Sequence, residues 1–498
     1  MIDTPQSESV DILLILEGTF PYVRGGVSSW VNRLIIGFPE YHFGIIFLGS
    51  MREDYLAKPY PLPDNVKYYA EYFLYDNKKT THSNKKIEEK EINAVREAHH
   101  KMKDCLAKSS ITVDISHYAD NFGISEKGFF ENRHVWDYTI ECYSEIPDQP
   151  SFVDYFWTVR GMHAPLWFLQ TALNKAPKAR IIHCPSTGYA GYLGALLSNT
   201  GKSPLIISEH GIYTKERRID LMLARWIHED DEFLSQTGRI HYLRQLWIRF
   251  FEFIGRLTYQ QAQHIINLYS GVLELQIADG ADPQKINTIP NGIPVENFLM
   301  SRTPLAERRY IVALIGRVVP IKDIKTFIRA AKILQQTEQN SPEFWIAGPT
   351  EEDEDYYQEC QLLVEHLGLK LQVKFLGFAP VQDVLSQVRL TVLSSISEGL
   401  PLSVLESFAA GVPVVATDVG SCRELIYGST KDSVKAPAGE IVPIANPGAM
   451  ARAISIFLND EEVWLRCSKN GIQRVERNYR EEDMFASYRK IYQAGMTN

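Results

Sequence analysis

Two glutamates, Glu398 and Glu406, bracket a glycine, a proline and a serine in the stretch SEGLPLSVLE (397–406). Proline at 401 suits the first turn of a helix, where its missing N–H costs nothing. The helix then runs through Leu405, Phe408 and Ala409 and stops at Gly411. Its first free amides, near Leu402 and Ser403, join the positive end of the helix dipole to make an anion site. Gly399 lets a ligand approach the backbone closely. Two acids beside an anion site make sense if the ligand carries hydroxyls on both sides of a diphosphate, because a carboxylate accepts two O–H donors well. Glu398 then faces one sugar and Glu406 the other, the layout of a nucleotide-sugar.

Three further stretches carry groups suited to the same ligand. In LIGRVVPIKDIKTFI (314–328), Gly316 ends a strand, Arg317 sits at its carboxyl end and Lys322 lies just before a helix. A planar fork and a point charge placed there can hold a diphosphate and stabilise it as a leaving group; a surface salt bridge is the plainer alternative. In EGTFPYVRGGVSSWVNRLI (17–35), a strand ends at Glu17, and Arg24, Gly25 and Gly26 lead into a helix. The turn lacks GxGxxG, so it is no dinucleotide fingerprint. Its paired glycines let backbone close over a ligand. In SEHGIYTKERR (208–218), His210 ends a strand beside a glycine turn, a fair position for a site histidine. Glu216, Arg217 and Arg218 follow as candidates for touching an acceptor.

These residues need strands to end at one edge. Short β-rich runs alternate with helical patterns, which predicts a parallel sheet covered by helices. The first half holds VDILLILEG (10–18), FGIIFLG (43–49), ARIIHCP (179–185), PLIISEH (204–210), HIINL (264–268) and KINTIPNG (285–292). The second holds YIVALIG (310–316), EFWIAG (343–348), LQVKFLG (371–377), LTVLSS (390–395) and VPVVATD (412–418). Each set suffices for a doubly wound α/β domain, with ligands expected in a cleft at the carboxyl ends of the strands. The boundary is expected in PNGIPVENFLMSRTPLAERR (290–309), rich in proline, asparagine and charge. The expected plan is an N-terminal domain over 1–298 with a helical insertion at about 71–175, a C-terminal domain over 299–478, and a helix over 479–498 packing back on the first domain.

Two insertion segments are read by their patterning. NKKTTHSNKKIEEKEINAVREAHHKMKD (77–104) mixes charges at helical spacing, as a solvated helix does. RIHYLRQLWIRFFEFIGRLTYQQA (239–262) carries Arg239, Arg244, Arg249 and Arg256 among aromatic residues. A helix buried on its aromatic side is expected, with a membrane surface or a partner as the alternative.

At 498 residues, two or more domains are the prior. A net charge of −9 argues against general nucleic-acid binding. No apolar run reaches the ~20 residues that span a bilayer, and MIDTPQSES lacks the plan of a signal peptide. A cytoplasmic location follows as the expectation. The six scattered cysteines fit reduced, mostly buried thiols.

In this order, the glycine loop, the Arg…Lys pair and the E-x7-E element resemble glycosyltransferase family 4 over nearly the whole chain. EGTFPYVRGGVSSWVNRLI, SEHGIYTKER and the long insertion resemble, more narrowly, the PelF-type members, cytoplasmic glycosyltransferases of bacterial Pel exopolysaccharide synthesis. The resemblance implies a GT-B fold, in which two Rossmann-like domains face across a cleft. It implies a UDP-sugar donor, retention of anomeric configuration by same-face transfer, and no metal or other cofactor. Carried over, Arg317 and Lys322 bind the diphosphate, Glu406 the ribose and Glu398 the donor hexose. Gly25, Gly26 and His210 approach the donor from the opposite wall, and the loop at Gly377 and Phe378 sits near the uracil. The implied partners are a polysaccharide acceptor and inner-membrane Pel synthase proteins, which implies a peripheral place at the inner membrane with the Arg-rich helix as the candidate contact.

A metal-dependent transferase would use Asp-x-Asp after a strand. Asp353-Glu-Asp355 matches in letters, but EEDEDYYQE reads as an acidic first helical turn. Two other functions remain open on the same fold: a UDP-sugar epimerase, and a non-catalytic UDP-sugar-binding scaffold subunit. The identity of the sugar is open as well.

Overall fold

Runs such as ILLIL and GIIFL are apolar on both faces, so they form strands only if helices cover both sides of the sheet. The structure, a computed structural model, describes residues 7–55, 57–76, 89–107, 113–118, 124–146, 149–224, 226–227, 241–429 and 436–497. It divides the chain into two compact units. One comprises Met1–Asn267, Val272–Asn287 and Lys490–Asn498, the other Leu268–Gly271 and Thr288–Arg489.

The first unit holds β1 (Ser9–Glu17), β2 (Phe43–Gly49), β3 (Val66–Phe73), β4 (Lys178–Cys184), β5 (Leu205–Glu209), β6 (His264–Asn267) and β7 (Ile286–Thr288). They lie in the order β3-β2-β1-β4-β5-β6-β7. The second holds β8 (Ile311–Ile315), β9 (Glu343–Ala347), β10 (Val373–Gly377), β11 (Leu390–Leu393), β12 (Val414–Thr417) and β13 (Gly439–Val442), in the order β10-β9-β8-β11-β12-β13. In each sheet the chain winds outward from the centre in both directions. The strand order therefore reverses between β1 and β4, and between β8 and β11. A crevice opens outside the carboxyl ends of the strands at such a point. Register aligns those ends: Val392 on β11 lies opposite Leu314 on β8 and Val415 on β12.

The structure differs from the sequence reading in several places. β3 and β13 are edge strands that the pattern did not reveal, and residues 71–73 belong to β3 rather than to the insertion. The division falls at Asn287/Thr288, before the expected 298/299. The reason is packing: Ile293, Val295 and Phe298 are buried in the second unit's core, and the Ile293 amide donates to Tyr479 O at 2.9 Å. Of the terminal helix, Glu481–Thr497, only Lys490 onward groups with the first unit. There Tyr492 is fully buried, and its hydroxyl lies 2.8 Å from His183 Nδ1.

In the insertion, the start of the 77–104 segment (77–88) lies outside the described residues, and the rest forms helix Glu89–Ala107. That helix is not wholly solvated, since Ile92, Val95 and Ala98 are buried along one side. Helix Tyr242–Gln261 buries Leu243, Trp247, Phe250, Phe251 and Ile254. Arg244 and Arg256 are buried with them, and Arg244 Nη1 donates to Leu221 O and to Met222 O, near the end of helix Tyr213–Leu223. The aromatic side is thus core, so the helix offers no such side to a membrane or partner. Arg249 is exposed, and Arg239 lies outside the described residues. No described helix is long and apolar enough to cross a membrane.

Candidate active site

At the β8/β11 reversal, two loops are fastened to each other. After β8, Gly316 donates its amide to Ala347 O, and the chain reaches a single helical turn, Pro320–Lys322. After β11, the Ser394 hydroxyl donates to Lys322 O at 2.7 Å and the Ile396 amide to Ile321 O at 2.8 Å. These bonds bring Lys322 Nζ to 2.5 Å from Glu398 Oε1, which also accepts from Ser395 Oγ at 2.5 Å. Both side chains of the pair are mostly shielded, at 20% and 12% exposure. Arg317, more open, pairs with Glu352.

The loop after β12 closes the third side. Ser421 donates its amide to Gly399 O at 2.9 Å, and Gly420, at φ +53°, passes so close that a Cβ there would lie 2.3 Å from Glu398 O. Gly348, after β9, is equally tight: a Cβ would stand 1.9 Å from Gly316 O. Gly377 ends β10 at φ +63° and accepts from the Gly348 amide at 2.8 Å; Phe378 beyond it is 73% exposed.

Helix Leu402–Ala409 begins immediately after Pro401, with Gly411 in the left-handed region just past its end. The Val404 amide turns back to Pro401 O, whereas those of Leu402 and Ser403 have no carbonyl four residues back to bond. The helix is pinned to the sheet by Thr391 Oγ1, 2.9 Å from Ser407 Oγ. Glu406, half-buried, lies one turn in. The structure therefore gathers Gly316, Lys322, Glu398 and Gly399 through direct bonds between their loops, with Leu402, Ser403 and Glu406 on the helix that follows. Arg317 follows β8 and Gly377 ends β10, with β9 between them.

The first unit has its own cavity, of 1240 Å³, outside the carboxyl ends of β1 to β5. Glu17, at the end of β1, is its most heavily bonded carboxylate. Its carboxylate accepts from Tyr213 Oη at 2.9 Å and the Ala190 amide at 3.2 Å, with Arg217 at 3.6 Å. His210 lines the cavity and meets Trp30 edge-on, with ring centroids 4.4 Å apart. Burial pushes its pKa down to about 3, so it is neutral rather than cationic at physiological pH. Gly25 and Gly26 do not line the cavity, although Val27 does. A Cβ on either glycine would meet nothing within 4 Å, so the surrounding protein does not force glycine there.

Sequence reasoning named Glu17 only as a strand end, and it missed the cavity wall formed by Trp157, Trp226, Trp247 and Phe251. A carboxylate closing an otherwise apolar first strand was the available signal. Among the described residues, no group of three or more His, Cys, Asp or Glu side chains could hold a metal ion. Asp353 caps helix Glu354–His366 by accepting from the Tyr356 amide at 2.9 Å, and Glu354 and Asp355 occupy its first turn.

Residues 10–284 match the family described as Domain of unknown function (DUF3492), and residues 296–474 match Glycosyl transferases group 1. The chain is 22% identical over 303 residues to the D-inositol 3-phosphate glycosyltransferase of Corynebacterium glutamicum (strain R), covering 57% of this chain and 66% of that protein. It is 30% identical over 142 residues to the lipopolysaccharide core biosynthesis mannosyltransferase LpsB of Rhizobium meliloti (strain 1021), covering 28% and 39%. It thus spans between two fifths and two thirds of the length of these relatives. Solved structures share its fold, among them the following two. Anabaena Alr3699/HepE in complex with UDP and glucose aligns with a TM-score of 0.57 at 15% identity, over 97% of this chain and 99% of that one. Sucrose-phosphate synthase (tll1590) from Thermosynechococcus elongatus aligns at 0.58 and 15%, over 97% and 98%. Two Rossmann-like parallel-sheet domains of the GT-B kind, and a DUF3492 match over more than half its length, identify the chain as a member of the DUF3492 family that carries a glycosyl transferases group 1 region behind that domain.

Proposed function

We propose that the protein is a retaining glycosyltransferase that moves a hexose or N-acetylhexosamine from a UDP-sugar onto a growing exopolysaccharide of the Pel type. The observation that carries this reading is the Lys322–Glu398 pair, held at a strand-order reversal just ahead of a helix N-terminus. A diphosphate offers Lys322 two charges in place of one. Once the cation turns to phosphate, Glu398 is released to accept hydroxyls of the donor sugar. Arg317 turns from Glu352 in the same way. The amides of Leu402 and Ser403 bind phosphate oxygen, and Glu406 accepts the ribose hydroxyls.

In the transfer step the bond from the anomeric carbon to the β-phosphate oxygen breaks. The acceptor hydroxyl adds to the same face, and its proton passes to the departing phosphate oxygen. Lys322, Arg317 and the helix amides stabilise the charge developing on UDP, often the largest catalytic term. No metal is needed in this scheme, because those cations and amides supply the neutralisation. UDP and glucose in the HepE structure, and the glycosyl-transfer activities named for the sequence relatives, support the donor class. The Pel assignment, with a cytoplasmic site beside inner-membrane Pel synthase proteins, rests on the resemblance of EGTFPYVRGGVSSWVNRLI and SEHGIYTKER.

A panel of UDP-sugars assayed for UDP release, with and without oligosaccharide primer and after exhaustive chelation, tests the reading. Primer-dependent release that survives chelation is expected, and conversion of the sugar without primer would point to an epimerase instead. Lys322→Ala and Arg317→Ala should each slow transfer by on the order of 10²-fold. Turnover equal to the parent in both variants would remove the assignment.

A further inference from the structure

We infer that the cavity of the first unit seats the acceptor as a neutral oligosaccharide several rings long, stacked on Trp157 and Trp226. This rests on the transferase reading above and adds the substrate class of a site that reading leaves empty. At 1240 Å³, the cavity exceeds the ~300–1,000 Å³ of a common small-ligand pocket, so it has room for more than one sugar ring.

Its lining mixes polar and aromatic groups. The floor, at the strand ends, presents Glu17 and His210, and helix Tyr213–Leu223 adds Glu216 and Arg217. The aromatic lining includes Trp157, from helix Phe152–Lys175 of the insertion, and Trp226, which meets Trp247 edge-on at 5.6 Å. Trp157 and Trp226 are each 59% exposed. Large exposed aromatic surface rimmed by polar groups marks a binding site. Flat indole faces suit the C–H face of a pyranose, while the floor accepts its hydroxyls. A lipid tail gains nothing from planarity and would strip water from Glu17, Glu216 and Arg217 without replacing its hydrogen bonds.

Charge narrows the choice further. Arg217 is committed to Glu17 at 3.6 Å and to the Tyr213 hydroxyl at 3.1 Å. Asp154 and Glu216 also line the cavity, where Arg217 is the one lysine or arginine among the described lining residues. An added acid would meet an excess of carboxylates, so uronic-acid chains are disfavoured.

The test is retention of the full-length protein, without donor, on an array of neutral and uronic-acid tetrasaccharides. A subset of the neutral glycans should retain it and the uronic acids should not. Trp157→Ala and Trp226→Ala should each weaken retention about tenfold, the size expected for one stacking contact. Trp157→Phe should keep most of it, which separates stacking from misfolding. The inference is overturned if no neutral glycan is retained, if both alanine variants bind as the parent does, or if uronic acids bind best. UDP binding is measured on the parent in parallel. UDP bound with no glycan retained overturns the cavity assignment alone, and no UDP bound overturns the transferase reading.

Discussion

Glu209 ends β5 fully enclosed, and burial pushes its carboxyl up to about 7 even though Gln276 at 2.8 Å and Tyr259 at 2.5 Å donate to it. The folded value lies above the ordinary 4.5. Its contribution to stability is therefore complete below 4.5 and lost as pH rises through about 7. Buried His183 and His210, both pushed down to about 3, act in the opposite sense and weaken the fold as pH falls below the usual histidine value. Glu209→Gln isolates the first effect. Relative to this variant, the parent should lose up to a few kcal/mol between pH 4.5 and 7, read by denaturant titration; parallel curves would show that the carboxyl ionises freely. None of this was legible in PLIISEH, because Tyr259 and Gln276 join Glu209 only after β6 and two helices are in place. Arg317, Lys322, Glu398 and Glu406 stand out in the sequence because their signals are local: strand ends, a helix start and a glycine. That the cations would be held by Glu352 and Glu398 was not, since both pairs cross between loops.

Elements bounded by strong punctuation were read well. Pro401 and Gly411 delimit helix Leu402–Ala409 to within a residue or two. Edge strands were not: VKYYAEYF mixes Lys67 and Glu71 with tyrosines because one flank lacks a partner strand, and β13 has only four residues. Charge at helical spacing hid the buried Ile92, Val95 and Ala98 for a similar reason, as one apolar side suffices to dock a helix. The loop after β12 allows a prediction at this scale. Gly420→Ala puts a methyl against the carbonyls of Glu398 and Gly399, at 2.3 and 2.4 Å, in a left-handed conformation. The Glu398 loop must shift, and on the proposed donor assignment the KM for UDP-sugar should rise about tenfold along with a lower melting temperature. Gly368→Ala, also left-handed at φ +67° but with nothing within 4 Å, should cost only about 1 kcal/mol of stability and leave KM unchanged. Equal KM values in the two variants would separate the loop from donor binding.

On the scale of the whole chain, the alternation of strands and helices revealed two doubly wound domains, but not where one stops. Boundaries are set by which core the connecting residues enter, and Ile293 and Phe298 enter the second. The last helix is divided, with Lys490–Asn498 assigned to the first unit. Tyr492 there packs edge-on against Phe38 as well as bonding His183. Tyr492→Phe should lower stability by about 1 kcal/mol, the net worth of one hydrogen bond. A chain ended at residue 480 should lose far more from the first unit, seen as a shift in the emission of Trp30, whose ring lies 5.8 Å from His183. An unchanged melting profile would show that the helix merely rests there. This return of the polypeptide has a consequence for synthesis in the cell. The first unit must wait, short of the packing that Tyr492 supplies, until the second unit has been translated, so a ribosome stalled within residues 288–489 holds a nascent chain whose first unit is incomplete.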